Sequence, residues 1–363
     1  MRATIWDRPT RFYHWLQAAC VAVCALTGFL LPEPSFRWHF IAGVLLSLGL
    51  LFRLIWAESG PGASRWRGFL PAPQAVIAHL RGLAKGRPPA HPPGHNPAGG
   101  AMVLALLLTL SLLCLSGFLV WGGFLKQGPL AFLTPFLLGA ALKEIHEALA
   151  ILLMLLVLGH LAGVLLESRL LGRNLIVSMI DGQQELRPGE EPPPPARPHA
   201  KQIAVFALLG ALLAGYGLST LPKMGWRPLD FPVAYNKECG ACHMAYHPSL
   251  LPAASWRQLM TGLDSHFGED AGLPDSTSQA IMAWLQNNAS ETWDTQAANR
   301  LRELDPAQPL RIEAAPWWKR RHRHIPDTIF DQKMIKSRGN CSACHGDADQ
   351  GMFTPKRISI PSS

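Results

Sequence analysis

Residues 143–166 read KEIHEALAILLMLLVLGHLAGVLL. Beyond the charged lip of Lys143, Glu144 and Glu147 the stretch is apolar, and it exceeds the roughly 20 residues a helix needs to cross a bilayer. It carries two histidines, His146 and His160, fourteen residues apart. At about 1.5 Å and 100° per residue they stand about 21 Å apart along the axis and nearly on one face. An ionisable side chain at that depth is a functional residue by default. One helix therefore presents imidazoles at two levels.

Similar apolar runs lie near 12–31, 38–57, 101–124 and 202–222, giving five predicted spans. A shorter run, Leu130 to Leu142, is broken by Pro135 and reads as an interfacial segment. The first span lacks a small-residue cleavage site and reads as an uncleaved anchor. The remainder looks globular, so the 48% hydrophobic and 16% charged composition splits into membrane and soluble parts and excludes a disordered chain. We expect an all-α fold: four bundle helices in 1–181, a Pro-rich linker at 182–201, a tethering helix at 202–222, and a mostly helical domain at 223–363.

Charge follows the same division. Residues 1–222 hold 17 Lys+Arg against 10 Asp+Glu, and residues 223–363 hold 16 against 15. The basic excess sits with the spans, where it reports topology, and no basic stripe with stacking aromatics points to nucleic acid. Arg2, Arg8 and Arg11, then Arg65, Arg67, Arg81, Lys85 and Arg87, then Arg169, Arg173, Arg187, Arg197 and Lys201 occupy alternate loops. The N-terminus is thus expected in the cytoplasm and everything after Leu221 outside. On that topology His14 and His160 share the inner level, and His39 and His146 the outer one. Each level receives two imidazoles from different helices, the arrangement that ligates one haem b on both axial sides. The alternative is four unrelated polar residues bonding between helices. Cys20, Cys24 and Cys114 read as packing residues.

Beyond the spans stand Cys239-Gly-Ala-Cys242-His243 and Cys341-Ser-Ala-Cys344-His345. Each Cys pair can form two thioethers to haem vinyl groups, with the next His as an axial ligand. Zinc would not call for a His after both pairs, and neither pair lies in the strand–helix alternation of a thioredoxin-like motif. Two haem c groups are therefore expected, and their attachment fits the outer side that the loop charges give. No His follows His345, so a histidine partner for that motif comes from upstream; His247, His266, His322 and His324 are available. The spacing of Trp256, Leu259, Met260, Leu263 and His266 predicts that His266 sits on an apolar helix face. Met260, Met334 and Met352 are rival ligands, and a Met would raise the reduction potential. His322 falls in a basic run, Lys319 to Arg323, otherwise read as a solvated face.

The stretches Arg11-Phe-Tyr-His14-Trp, Trp38-His39-Phe-Ile-Ala-Gly43, Gly94-His-Asn-Pro97, His146-Glu147 and Gly159-His160 with Arg173-Asn-Leu175 resemble the bacterial cytochrome b561 family, including b-type subunits of nickel-iron hydrogenases. The resemblance implies a four-helix bundle with two haem b groups on His14, His39, His146 and His160, and exchange with the quinone pool. From about Phe231 the chain is similar to small diheme cytochromes c. This implies two histidines per iron and favours His266 and His322 as distal ligands, with His324 and His247 in reserve. The expected function is electron transfer in a bacterial inner membrane, between quinone or quinol and a soluble periplasmic cytochrome or other redox protein. The competing expectation is a terminal oxidoreductase acting directly on oxygen, superoxide or another small oxidised species. Trp15, Arg53, His95 and Arg173 lie near the inner boundary, where interfacial anchoring explains each as well as a quinone site does.

Overall fold

The computed structural model describes residues 2–31, 36–86, 94–172, 174–186 and 191–361. Arg87, Arg173 and Arg187 of the basic loops lie outside the described residues. Among these residues, five helices are long and apolar enough to cross a membrane. They are α1 (Arg8–Ala25, continued by a π turn Leu26–Leu30), α2 (Phe36–Ser59), α3 (Pro97–Gly123), α4 (Phe136–Leu171) and α5 (Ala200–Ser219). The fold is mostly helical, as the apolar periodicity predicts.

The segment before His146 departs from expectation. Pro135 starts a helix rather than breaking one, because α4 begins at the next residue. A proline before the first turn removes no needed hydrogen bond. Only residues 124–134 remain as turns.

The chain divides into two units, Met1–Phe118 with Leu142–Gly217, and Leu119–Ala141 with Leu218–Ser363. In the first, Cys20, Ala42, Leu46, Leu50, Leu110, Leu113 and Leu153 form the core, with Cys24 and Cys114 packed against it. The three span cysteines thus fill space. Outward-facing residues such as Phe206, Leu213 and Tyr216 on α5 are exposed; these are the faces that lipid covers. At one end of this unit Arg2–Thr4 pairs antiparallel with Gln183–Glu185. Nearby, Gly62 N donates to Pro194 O and Arg197 N to Ser59 O. The three segments grouped on one side by their basic residues therefore bond to one another.

The second unit includes a segment that a linear reading gives to the bundle: the turns between α3 and α4. It also holds α6 (Val233–Cys239), α7 (Ala253–Thr261), α8 (Asp275–Asn287), α9 (Gln296–Arg300) and α10 (Pro316–His322), joined by short 3-10 turns. It has two cores. Tyr235, Trp256, Met260, Ile281 and Leu285 anchor one, against which Cys239 packs. Leu250, Leu301, Trp318, Phe330 and Ile335 anchor the other, against which Cys344 packs. Each Cys-x-x-Cys-His motif thus has its own core.

Candidate functional site: four facing imidazole pairs

Among the described residues, four pairs of histidine rings face one another. The ring centroids of His14 and His160 are 6.4 Å apart, and those of His39 and His146 are 6.2 Å apart. In the second unit His243 faces His266, and His322 faces His345, each at 6.1 Å. An imidazole–metal bond is about 2 Å, and a ring centroid lies about 1.1 Å behind its nitrogen, so two rings gripping one ion from opposite sides stand about 6.3 Å apart. All four separations fit that spacing.

The other ring nitrogen fixes the tautomer in three pairs. His39 Nδ1 donates to Cys24 O at 3.2 Å and also meets Thr27 Oγ1 at 3.1 Å. His243 Nδ1 donates to Met244 O at 2.8 Å, and His322 Nδ1 to Trp318 O at 2.9 Å. A carbonyl only accepts, so the proton sits on Nδ1 and the lone pair on Nε2, as a metal-bound imidazole requires. His146 Nδ1 reaches Ser116 Oγ at 3.0 Å, and that hydroxyl donates to Leu113 O at 3.1 Å, so the serine accepts from His146.

Small residues leave room beside the membrane pairs. A Cβ on Gly117 would lie 3.2 Å from His146 Cε1, and one on Gly28 would lie 3.5 Å from His39 Cε1. A Cβ on Gly43, one turn after His39, or on Gly163, just after His160, would meet nothing within 4 Å. Open faces one turn from paired imidazoles suit a flat macrocycle. The ring pairs, the tautomers and these glycines together fit haem.

In the second unit the cysteines are free, and burial pushes Cys239 up to about 11 and Cys341 up to about 12. A thioredoxin-like pair depends on a depressed thiol, the opposite shift. Among the described residues no group of three or more His, Cys, Asp or Glu comes together as a metal site. Burial, then His322 alongside, holds His345 down to about 4, so its ring is neutral and able to ligate at pH 7.

His247 and His324, the other candidate ligands, have other tasks. His247 Nδ1 accepts from Ser249 N and caps the turn Pro248–Leu250, packed on Trp293 at 4.6 Å. His324 Nε2 accepts from Arg323 Nε. Neither faces a second imidazole. Met260 is buried in a core and Met334 is exposed. His266 is not on a helix face: α7 stops at Thr261, Gly262 follows, and His266 lies in a turn where its N–H donates to Glu269 O. The glycine ends the helical period before it reaches the histidine. His322 closes α10, its ring stacked on Trp318 at 4.1 Å. Ser116 and Thr27 escape sequence reasoning, because a hydroxyl in an apolar helix usually bonds to its own backbone.

Residues 5–182 match the family model described as prokaryotic cytochrome b561, and residues 235–353 the model described as dihaem cytochrome c. A probable Ni/Fe-hydrogenase B-type cytochrome subunit of Cupriavidus necator is 28% identical over 147 residues, 34% of this chain and 60% of that protein. A probable Ni/Fe-hydrogenase 1 B-type cytochrome subunit of Escherichia coli K12 is 26% identical over 154 residues, 36% of this chain and 64% of its own length. The chain thus spans less than two thirds of these two relatives. Among solved structures, the diheme cytochrome c from Rhodobacter sphaeroides is 38% identical over its whole length, 35% of this chain, with a TM-score of 0.30. The diheme cytochrome c from Shewanella baltica is 32% identical over 96% of its length, 36% of this chain, with a TM-score of 0.29. The chain is an integral membrane protein that belongs to the prokaryotic cytochrome b561 family through residues 5–182 and to the dihaem cytochrome c family through residues 235–353.

Proposed function

We propose that this protein carries electrons between the quinone pool of a bacterial inner membrane and a soluble periplasmic redox protein, through two haem b and two haem c groups. His14 with His160 and His39 with His146 hold the b irons. Cys239 and Cys242, and Cys341 and Cys344, form the thioethers; His243 with His266, and His345 with His322, hold the c irons. When bound, haem would supply one-electron redox chemistry at each of these places. The side chains contribute fixed ligands, oriented Nδ1 partners and apolar walls. The N-terminus faces the cytoplasm and residues after Leu221 the periplasm.

The observation that carries this reading is the set of four imidazole pairs at 6.1–6.4 Å. Two imidazoles for each iron would leave no open position for oxygen or another small oxidant, which favours transfer over terminal reduction. Pyridine haemochrome analysis of the purified protein should give equal b and c haem, and duroquinol should reduce both. Carbon monoxide should leave the reduced spectrum unchanged. A clear carbon monoxide shift, or c haem alone in a fully loaded protein, would overturn the reading.

A further inference from the structure

The loop between α3 and α4 singles out one of the two c motifs. Phe124–Lys126 face Met352–Pro355 across a narrow cleft within the second unit. Phe353 in the facing wall packs edge-on against the ring of His345 at 5.1 Å. The chain leaving α5 converges on the same place, since Met224 N donates to Ala131 O and Trp226 Nε1 donates to Gln350 O.

Both walls are held in costly backbone conformations. Lys126 and Phe353 each have φ 53°, the left-handed region that side chains avoid. A carboxylate pins each one. Asp294 Oδ2 accepts from Lys126 Nζ at 2.6 Å and from Phe136 N at 2.8 Å. Asp347 Oδ2 accepts from Thr354 N at 3.0 Å and Thr354 Oγ1 at 2.6 Å.

The two c motifs are in turn joined by Tyr246. Its ring lies 5.3 Å from that of His243, its hydroxyl donates to Gly339 O at 2.7 Å, and it packs against both cores. Cys242 and His243 are exposed and Cys239 is half-buried, whereas Cys341, Cys344 and His345 are all half-buried. The first motif thus exposes Cys242 and His243 to solvent, while the second lies behind Phe353, which lines the cleft with Phe124–Lys126.

We propose that the motif Cys341–His345 is the membrane-side c site, addressed by the α3–α4 loop through Phe353, and that Cys239–His243 is the partner-side site, reached across Tyr246. Each transfer between them moves one electron, oxidising one iron by one unit and reducing the other by one, with no proton or bond change. The inference rests on the electron-transfer reading above.

The test uses the full-length, haem-loaded protein in nanodiscs with duroquinol as reductant. Cys239→Ala with Cys242→Ala removes the first attachment; quinol should still reduce the remaining c haem. Cys341→Ala with Cys344→Ala removes the second, and quinol reduction of the remaining c haem should be lost. The reverse pattern, or equal loss in both variants, overturns the order. A wild-type protein whose c haems quinol does not reduce would instead overturn the electron-transfer reading. The second measurement touches no haem attachment: hydrogen exchange of Lys126→Gln should rise in Phe124–Lys126 and Met352–Pro355 while Tyr235–Tyr246 stays protected. Exchange that rises around Tyr235–Tyr246 and not in Met352–Pro355 would overturn the placement even if folding of the cysteine variants fails.

Discussion

Replacing Asp294 should cost far more than replacing Lys126, although the two form one ion pair. The Lys126 side chain is 1% exposed and that of Asp294 is 27% exposed. Burial lowers the Lys126 pKa and the Asp294 bond raises it again, so the carboxylate keeps that ammonium charged. With Asp294→Ala the ammonium retains Thr134 O at 3.1 Å and no carboxylate. Removing one partner of a buried pair costs about 3–5 kcal/mol, and partial exposure of Asp294 selects the lower end, about 3. Asp294 also accepts from Phe136 N in the first turn of α4, and losing that cap adds about 1 kcal/mol. For a unit of this size about 4 kcal/mol corresponds to a fall in thermal midpoint of about 8–16 °C. Lys126→Met keeps the cap, fills the space with an apolar stem and leaves Asp294 bonded to Asn299 Nδ2, so it should cost about 1 kcal/mol and about 2–4 °C. The double variant should lie near Lys126→Met plus the cap alone, well short of additivity. Thermal unfolding in micelles, followed by near-ultraviolet circular dichroism, reads all three. Equal shifts for the two single variants, or a strictly additive double variant, would refute the reasoning.

His14→Ala or His146→Ala should each remove one of two low-spin b haems and leave c content unchanged, as read by haemochrome ratios; an unaltered b spectrum would disprove the ligand assignment. Ser116→Ala removes the acceptor for His146 Nδ1, a bond of about 0.5–1 kcal/mol, and so should raise the potential of the haem proposed on His39 and His146 by about 20–40 mV, without moving that of the haem proposed on His14 and His160, in a potentiometric titration. His247 is held down to about 4, first by burial and then by Arg227. The unfolded chain therefore binds a proton that the folded one refuses between its ordinary 6.5 and 4. Stability present above pH 6.5 drains away as pH falls to 4, by about 3 kcal/mol, and His247→Gln should flatten that slope in acid unfolding. Tyr246→Phe loses the bond to Gly339 O and should cost about 1 kcal/mol in urea unfolding with both c haems still attached.

Length and periodicity fixed five helices, because a span must be apolar for its whole crossing and must satisfy its own backbone. The Cys-x-x-Cys-His motifs are visible in the sequence because they are local, two cysteines and a histidine within five residues. The membrane histidines were legible because helical rise converts separation in sequence into depth. His266 lay beyond that logic: a single Gly262 ended the helix on which its spacing was reckoned. Nor could periodicity reveal that Pro135 opens α4, since a proline reads alike as a break and as a first turn. What tertiary structure alone decided are the contacts between residues far apart in the chain. Asp294 caps a helix that begins at Phe136, Ser116 orients His146, and Phe353 packs on His345 while lining a cleft with Phe124–Lys126. Such contacts depend on two surfaces meeting, and no repeat or spacing within either segment encodes its partner.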